Sequence, residues 1–292
     1  MEKVDAAKAR NDGPAIWVVR DDDSTLYLYG TMHLLPSDLD WQRDDLNAAF
    51  DQAGTVFFEV PSNESARIKS ERLTRTQGFQ PAGERLSEGW DQYAVKTLEI
   101  ASVSGDIPLE VLDTLEPWLA AELITIAAAE KAGLSSALSP DEALKSRAER
   151  QGKFIRYLDT VEDQMALSTN VPPDVQENNL LALLERYNAI GPELQAIAAE
   201  WVEGDVEALE RRLARSITGA SRERMLDARN AEWADELEDW MDGSGTGLAA
   251  VGVAHLVGEG SLVELLQARD LDVRRHYAFQ GENVIRTIDL DN

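Results

Sequence analysis

Residues 55–60 read TVFFEV, apolar except for Thr55 and Glu59, with Pro61 directly behind. An apolar run without alternation is the kind of strand that a sheet buries on both faces. It constrains the rest of the chain, because helices must cover it. It also carries one carboxylate, Glu59, at its end. An unpaired carboxylate there is costly to bury, so Glu59 must be paired, exposed or bound to a metal.

The neighbouring residues read as α/β structure. IWVV (16–19) and TLYLYG (25–30), joined across an acidic turn, predict a β-hairpin. Ser37 or Asp38 is placed to cap a helix running to about Phe50. Residues 62 to about 247 read as mainly helical. Thr114 with Pro117 opens one helix, Ser139-Pro140-Asp141-Glu142 another, and Pro172-Pro173-Asp174 a third that ends at Gly191. FIRYL (154–158) is a short strand followed by a helix capped by Thr160. Asp205 caps a helix, and Ser221 caps a long one through Trp240. Towards its end the chain alternates strand and helix again. LAAVGVAHL is strand and loop, SLVELLQARDL a helix, and DVRRHYAF (272–279) a strand.

Both ends therefore contain strand, GxxHL, helix, strand: YGTMHL at 29–34 and VGVAHL at 251–256. The chain has three histidines, and two of them, His33 and His255, stand in this frame. The fold class expected is α/β (α+β): a central mixed β-sheet built from two similar strand-GxxH-helix-strand halves, with a large mainly helical insertion. Residues 1–14 are expected to be a disordered polar lead-in, and 15–292 one domain with the insertion at about 62–247.

Composition narrows the function. A formal charge of −26 argues against nucleic acid or anionic lipid as a partner. The absence of cysteine excludes disulfides, thiolate metal sites and cysteine nucleophiles. No run of 18 apolar residues predicts a transmembrane segment. The first residues lack the apolar core of a signal peptide, which leaves open a cytoplasmic chain or the mature part of an exported one.

Strands that end in glycine deliver loop residues to the C-terminal edge of a sheet, where α/β proteins bind ligands. Gly30 and Gly252 suit a tight turn or a close backbone approach. His33, His255 and Glu59 are then placed to converge. Two imidazoles and a carboxylate suit Zn²⁺, Mn²⁺, Co²⁺ or Fe²⁺ with positions open for water and substrate. Taken singly, each histidine reads more simply as a loop residue; the repeated frame is what raises the functional reading. His276 has no such frame and reads as structural or exposed.

YLYGTMHLLP, FFEV and VGVAHLVGEGSLVELLQARDLDVRR together resemble the TraB/GumN family, which includes the Tiki-like metalloproteases. LDTLEPWLAA, FIRYLDTVEDQM, WVEGD and RMLDARNAEWADEL extend the resemblance over roughly residues 15 to 280. Glu116 stands where the family often has lysine, and Asp159 where it has glutamate. The resemblance implies a metal and catalytic core of His33, Glu59 and His255. It also brings an arginine of the late helix (Arg224 or Arg229) and polar residues of the DTVEDQ segment (Glu162, Gln164) to the site.

The expected activity is a metal-dependent peptidase acting on a peptide or protein substrate. A divalent ion, Mn²⁺ or Co²⁺ favoured and Zn²⁺ possible, would activate water. Glu59 is ligand or base, Glu162 a general base, an arginine the oxyanion partner, and Gln164 a substrate contact. The alternatives are a metal-independent His/Glu esterase, or a protein that binds metal, haem or peptide without turnover. Related bacterial proteins imply a periplasmic or cell-envelope location.

Overall fold

The computed structural model describes residues 13–276. Most of the lead-in expected over 1–14, and residues 277–279 of the last strand, lie outside the described residues.

The strands of the main sheet are β1 (Ile16–Arg20), β2 (Ser24–Thr31), β3 (Thr55–Phe58), β4 (Phe154–Tyr157), β5 (Gly245–Gly252) and β6 (Asp272–His276). The longer helices are α1 (Asp44–Gln52), α2 (Glu64–Gln77), α3 (Gln92–Gly105), α4 (Pro117–Lys131) and α5 (Pro140–Gln151). They continue with α6 (Val161–Thr169), α7 (Pro173–Glu185), α8 (Tyr187–Val202), α9 (Val206–Ser216), α10 (Ala228–Met241) and α11 (Leu262–Gln267).

The chain forms two compact units. Of the described residues, one unit comprises 13–59, Ser136–Leu158 and 196–276; the other is Val60–Ser135 with Asp159–Gln195. Residues 136–158 and 196–247, which read as part of the helical insertion, thus belong to the sheet unit.

The sheet unit is mixed α/β, with strand order β4-β3-β5-β2-β1-β6. β1 pairs antiparallel with β2 and with β6. β5 pairs parallel with β2 on one side and β3 on the other, and β3 pairs parallel with β4. Only β1 therefore opposes the common direction. Every residue of β2 from Leu26 to Thr31, and of β5 from Gly247 to Val251, is buried. Burial on successive residues means both faces are covered; Val56 to Phe58 of β3 are buried in the same way, as the apolar run of TVFFEV predicted. Phe57 of β3 is fully buried edge-on to Trp240, ring centroids 5.6 Å apart. Burial of one such side chain is worth about 1.5–3 kcal/mol.

The connections define where a ligand fits. From β2 the chain runs through α1 to β3, beyond β5; from β5 it runs through α11 to β6, beyond β2 and β1. The two connections leave adjacent parallel strands in opposite directions. That is a topological switch point, and the C-terminal ends of β2 and β5 are where such sheets bind ligands.

The helical unit packs Leu98 of α3, Leu119 and Ile124 of α4, and Leu180 and Leu184 of α7 into its own core. Asn63 and Asp91 cap α2 and α3 by accepting from Ala66 N and Ala94 N. Thr160 and Asp163 form a reciprocal capping box at α6.

Three helix boundaries differ from expectation. α1 starts at Asp44 rather than near Ser37. Buried Trp41 anchors the intervening loop, and Asp44 and Asp45 supply the acidic first turn. Gly191 and Pro192 lie inside α8 instead of ending a helix. Gly191 is there for close packing, since a Cβ would stand 2.7 Å from that of Ala132. The late helix begins at Gly219, so Ser221 is inside it, and it passes through a π turn at Glu223–Asp227 before α10. Among the described residues no helix is long and apolar enough to cross a membrane.

Candidate functional site

Thr31 pairs with Gly252, so both GxxH loops leave the sheet at the same level from adjacent strands. Phe58 pairs with Ala250, which puts Glu59 beside that level on β3. Neither motif glycine has the left-handed backbone that only glycine adopts readily. Both serve close approach. A Cβ on Gly30 would stand 3.0 Å from Val253 Cγ2, inside the other motif; one on Gly252 would stand 3.0 Å from Glu59 Oε1. The Gly30 carbonyl accepts from Trp201 Nε1 at 2.8 Å.

Glu59 is 9% exposed and accepts at both oxygens. Gly252 N donates to Oε1 at 2.6 Å, and Arg229 Nη2 donates to Oε2 at 2.8 Å. Burial alone would raise its pKa, but His255, the Arg229 guanidinium and the Gly252 N–H outweigh it and hold the carboxyl low. His255 itself is neutral above about pH 4, so across the neutral range the guanidinium, the amide and the His33 charge are what hold it there.

Arg229 also donates Nη1 to His255 Nε2 at 3.2 Å. With Nε2 an acceptor, the proton of His255 sits on Nδ1, which donates to Asn230 Oδ1 at 2.6 Å. Asn230 Nδ2 is itself fixed by the Gly260 carbonyl at 2.8 Å. His255 is 4% exposed and lies 4.4 Å from the Trp233 ring, centroid to centroid. Burial, aided by the Arg229 charge, lowers its pKa to about 4, so this imidazole is neutral at physiological pH. Arg229, Asn230 and Trp233 all come from the first turns of α10. The π turn just before it sets their phase, and Arg229 Nη1 bonds back to Met225 O at 3.1 Å.

His33 is the opposite case. Its side chain is 67% accessible, and Nδ1 lies 3.2 Å from Asp141 Oδ2. Asp141 accepts from Thr31 Oγ1 at 2.7 Å and from Ser139 Oγ at 2.8 Å. Burial pushes the Asp141 carboxyl up, but the bonds from His33, Thr31 and Ser139 outweigh it and keep it ionised. The Asp141 bond in turn raises His33 to about 9, against partial desolvation of the ring. Glu59 adds to this rise and Arg229 opposes it, so His33 lies within electrostatic reach of the Glu59 group.

A metal ion implied by the two GxxH motifs does not fit this arrangement as it stands. Both Glu59 oxygens and His255 Nε2 are engaged by Arg229 and Gly252. Among the described residues no three of His, Cys, Asp and Glu form a group that holds a metal.

The TraB/PrgY/gumN family model matches residues 15–275. The chain belongs to the TraB/PrgY/gumN family. Among curated relatives it is similar to the uncharacterized protein YbaP of Escherichia coli K12, 26% identical over 191 residues, 64% of this chain and 70% of that protein. The Shigella flexneri protein of the same name matches equally. No solved structure matches.

In this family member, His33, Glu59, His255 and Arg229 all belong to the sheet unit and share one electrostatic group. Arg224 sits in the π turn and donates to the Ala220 carbonyl at 3.4 Å. Glu162 and Gln164 lie on α6 of the helical unit, where Glu162 pairs with Lys69. Sequence reading does not single out Asp141, Asn230 or Trp233. Asp141 is hidden in a capping motif. Asn230 adjoins a candidate arginine, and that adjacency is its only signal.

Proposed function

We propose that this protein is a hydrolase that cleaves an acyl bond, with Glu59 as the base and His33 as the proton donor. The observation that carries this reading is the accessible imidazole of His33, held by Asp141 and protonated up to about pH 9. Near it is a carboxylate kept ionised. At neutral pH each group is already in the protonation state its role needs. A depressed carboxylate is a weaker base, and that is the cost of the Arg229 contact.

In the forward step Glu59 removes a proton from water while the oxygen attacks the acyl carbon. His33 then delivers its Nε2 proton to the leaving group. An amine departs poorly unless it is protonated, so a resident acid suits a peptide bond better than an ester. Burial and the Arg229 charge keep His255 neutral, Asn230 fixes its tautomer, Arg229 orients Glu59, and the switch point at the strand ends is the place for substrate. The resemblance to Tiki-like metalloproteases points to the same class of bond.

The test is cleavage of a mixed-sequence peptide library by untagged protein in excess chelator. Wild type cleaves, and Glu59→Gln and His33→Gln each lower kcat/KM at least about a hundredfold, the scale of a general acid–base contribution. Cleavage that survives both substitutions sinks the reading. Chelator-resistant hydrolysis of aryl esters without peptide cleavage moves it to the esterase alternative.

A further inference from the structure

We propose that Arg229 is a resident cation standing where a divalent ion would bind, so that this chain's strand-end site is closed to metal while the guanidinium stays in place. The donor inventory is the first support. His255 has one lone pair to offer, on Nε2, and Arg229 Nη1 takes it at 3.2 Å; Nδ1 carries the proton given to Asn230. Glu59 presents Oε2 to Nη2 at 2.8 Å and Oε1 to Gly252 N at 2.6 Å. One guanidinium thus spans the carboxylate and the imidazole that a metal would bridge.

The guanidinium is also held. It is 11% exposed at the side chain, its Cζ lies 4.4 Å over the Trp233 ring, and Nη1 bonds to Met225 O at 3.1 Å. The residue after it, Asn230, fixes the tautomer that turns Nε2 toward Arg229. Charge works in the same direction. Glu59 and Arg229 neutralise each other beside a neutral imidazole, and a divalent ion brought next to a buried guanidinium meets strong repulsion. The second imidazole, His33, is turned on Asp141 instead. Metal entry therefore requires Arg229 to leave, breaking its bonds to Glu59, His255 and Met225 and the ring contact.

The inference rests on the same side chains as the proposed hydrolase and takes the ion out of its chemistry. Its test reads metal affinity alone, so it can fail while peptide cleavage stands. Untagged, chelator-treated full-length chain is titrated with Mn²⁺, Co²⁺ and Zn²⁺ by calorimetry. Wild type is expected to show no saturable site below about 1 mM. Arg229→Gln is expected to bind one ion at least about tenfold more tightly, and Arg229→Gln with His255→Phe to lose that gain. Because Arg229→Gln leaves Glu59 buried without its partner, folding is followed by circular dichroism. The melting temperature of wild type is measured with and without Co²⁺, and no upward shift is expected. A wild type that binds one ion at or below about 10 μM and melts higher with it overturns the proposal. So does a folded Arg229→Gln that binds no better than wild type.

Discussion

Asp141 Oδ2 lies 3.2 Å from His33 Nδ1, and the same carboxylate is fixed by Thr31, two residues before His33 on β2. The imidazole is thereby held at the strand end by Nδ1 while its side chain stays 67% accessible. Asp141→Asn removes the charge that keeps His33 protonated. The alkaline limb of the kcat/KM profile is then expected to move from about 9 toward the ordinary histidine value of 6.5. At pH 7.5 that leaves about a tenth of His33 protonated and costs about tenfold in rate. A peptide-cleavage pH profile of the variant measures it; an unmoved limb assigns the acid elsewhere.

The same pair has a modest stability effect. A raised histidine pKa contributes stability that is fully present below 6.5 and lost as pH rises through about 9. Because the ring is 67% accessible, solvent screens the pair, and Asp141→Asn is expected to cost no more than about 1 kcal/mol at pH 6 from this source. Urea unfolding at pH 6 and pH 9.5 checks that the difference between wild type and variant shrinks at the higher pH.

His255 has the reverse dependence. Its folded pKa of about 4 lies below the unfolded value, so the unfolded chain takes up the proton first as pH falls. Stability is expected to drop between about 6.5 and 4, by on the order of 3 kcal/mol at the acid end. His255→Phe removes that part of the acid limb. Chemical unfolding at pH 7, 5.5 and 4.5 tests this, and an equally steep loss in the variant contradicts it.

The motif glycines are spacing residues. Gly30→Ala puts a methyl 3.0 Å from Val253 Cγ2 and 3.2 Å from its Cα, which is backbone and cannot swing aside. A loss of about 1–3 kcal/mol is expected from this overpacking. Gly252→Ala pushes at the Glu59 carboxylate instead, and is expected to lower activity more than stability. Melting curves and peptide cleavage on both variants separate the two effects.

Asn230→Leu leaves the His255 Nδ1–H buried without an acceptor. The expected cost is about 1–3 kcal/mol, the range for one unsatisfied buried polar group. Thermal unfolding at pH 7.5 reads it.

Much of this site is legible in the sequence because strand periodicity is local. TVFFEV and the two GxxHL frames need only neighbouring residues to mark three strand ends, and β2, β3 and β5 do lie side by side. What is hidden depends on distance along the chain. Asp141 reads as an ordinary helix-start carboxylate, and its partner Thr31 is 110 residues earlier. Arg224 and Arg229 are equivalent in a sequence, and only the geometry of the late helix, with its π turn, shows which one meets Glu59. The start of α1 is misplaced by sequence reading because Ser37 and Asp38 are as good capping residues as those nearer Asp44. The burial of Trp41, which holds those residues as loop, is a tertiary effect.

The most direct measurement is a titration of the imidazole resonances by ¹⁵N-correlated NMR, which three histidines make readily assignable with His33→Gln and His255→Phe. The account predicts that at pH 7.5 His33 is a cation titrating near 9, while His255 is the neutral Nδ1–H tautomer and takes a proton only near 4. Two motif histidines that titrate together near 6.5 contradict the division of roles between them.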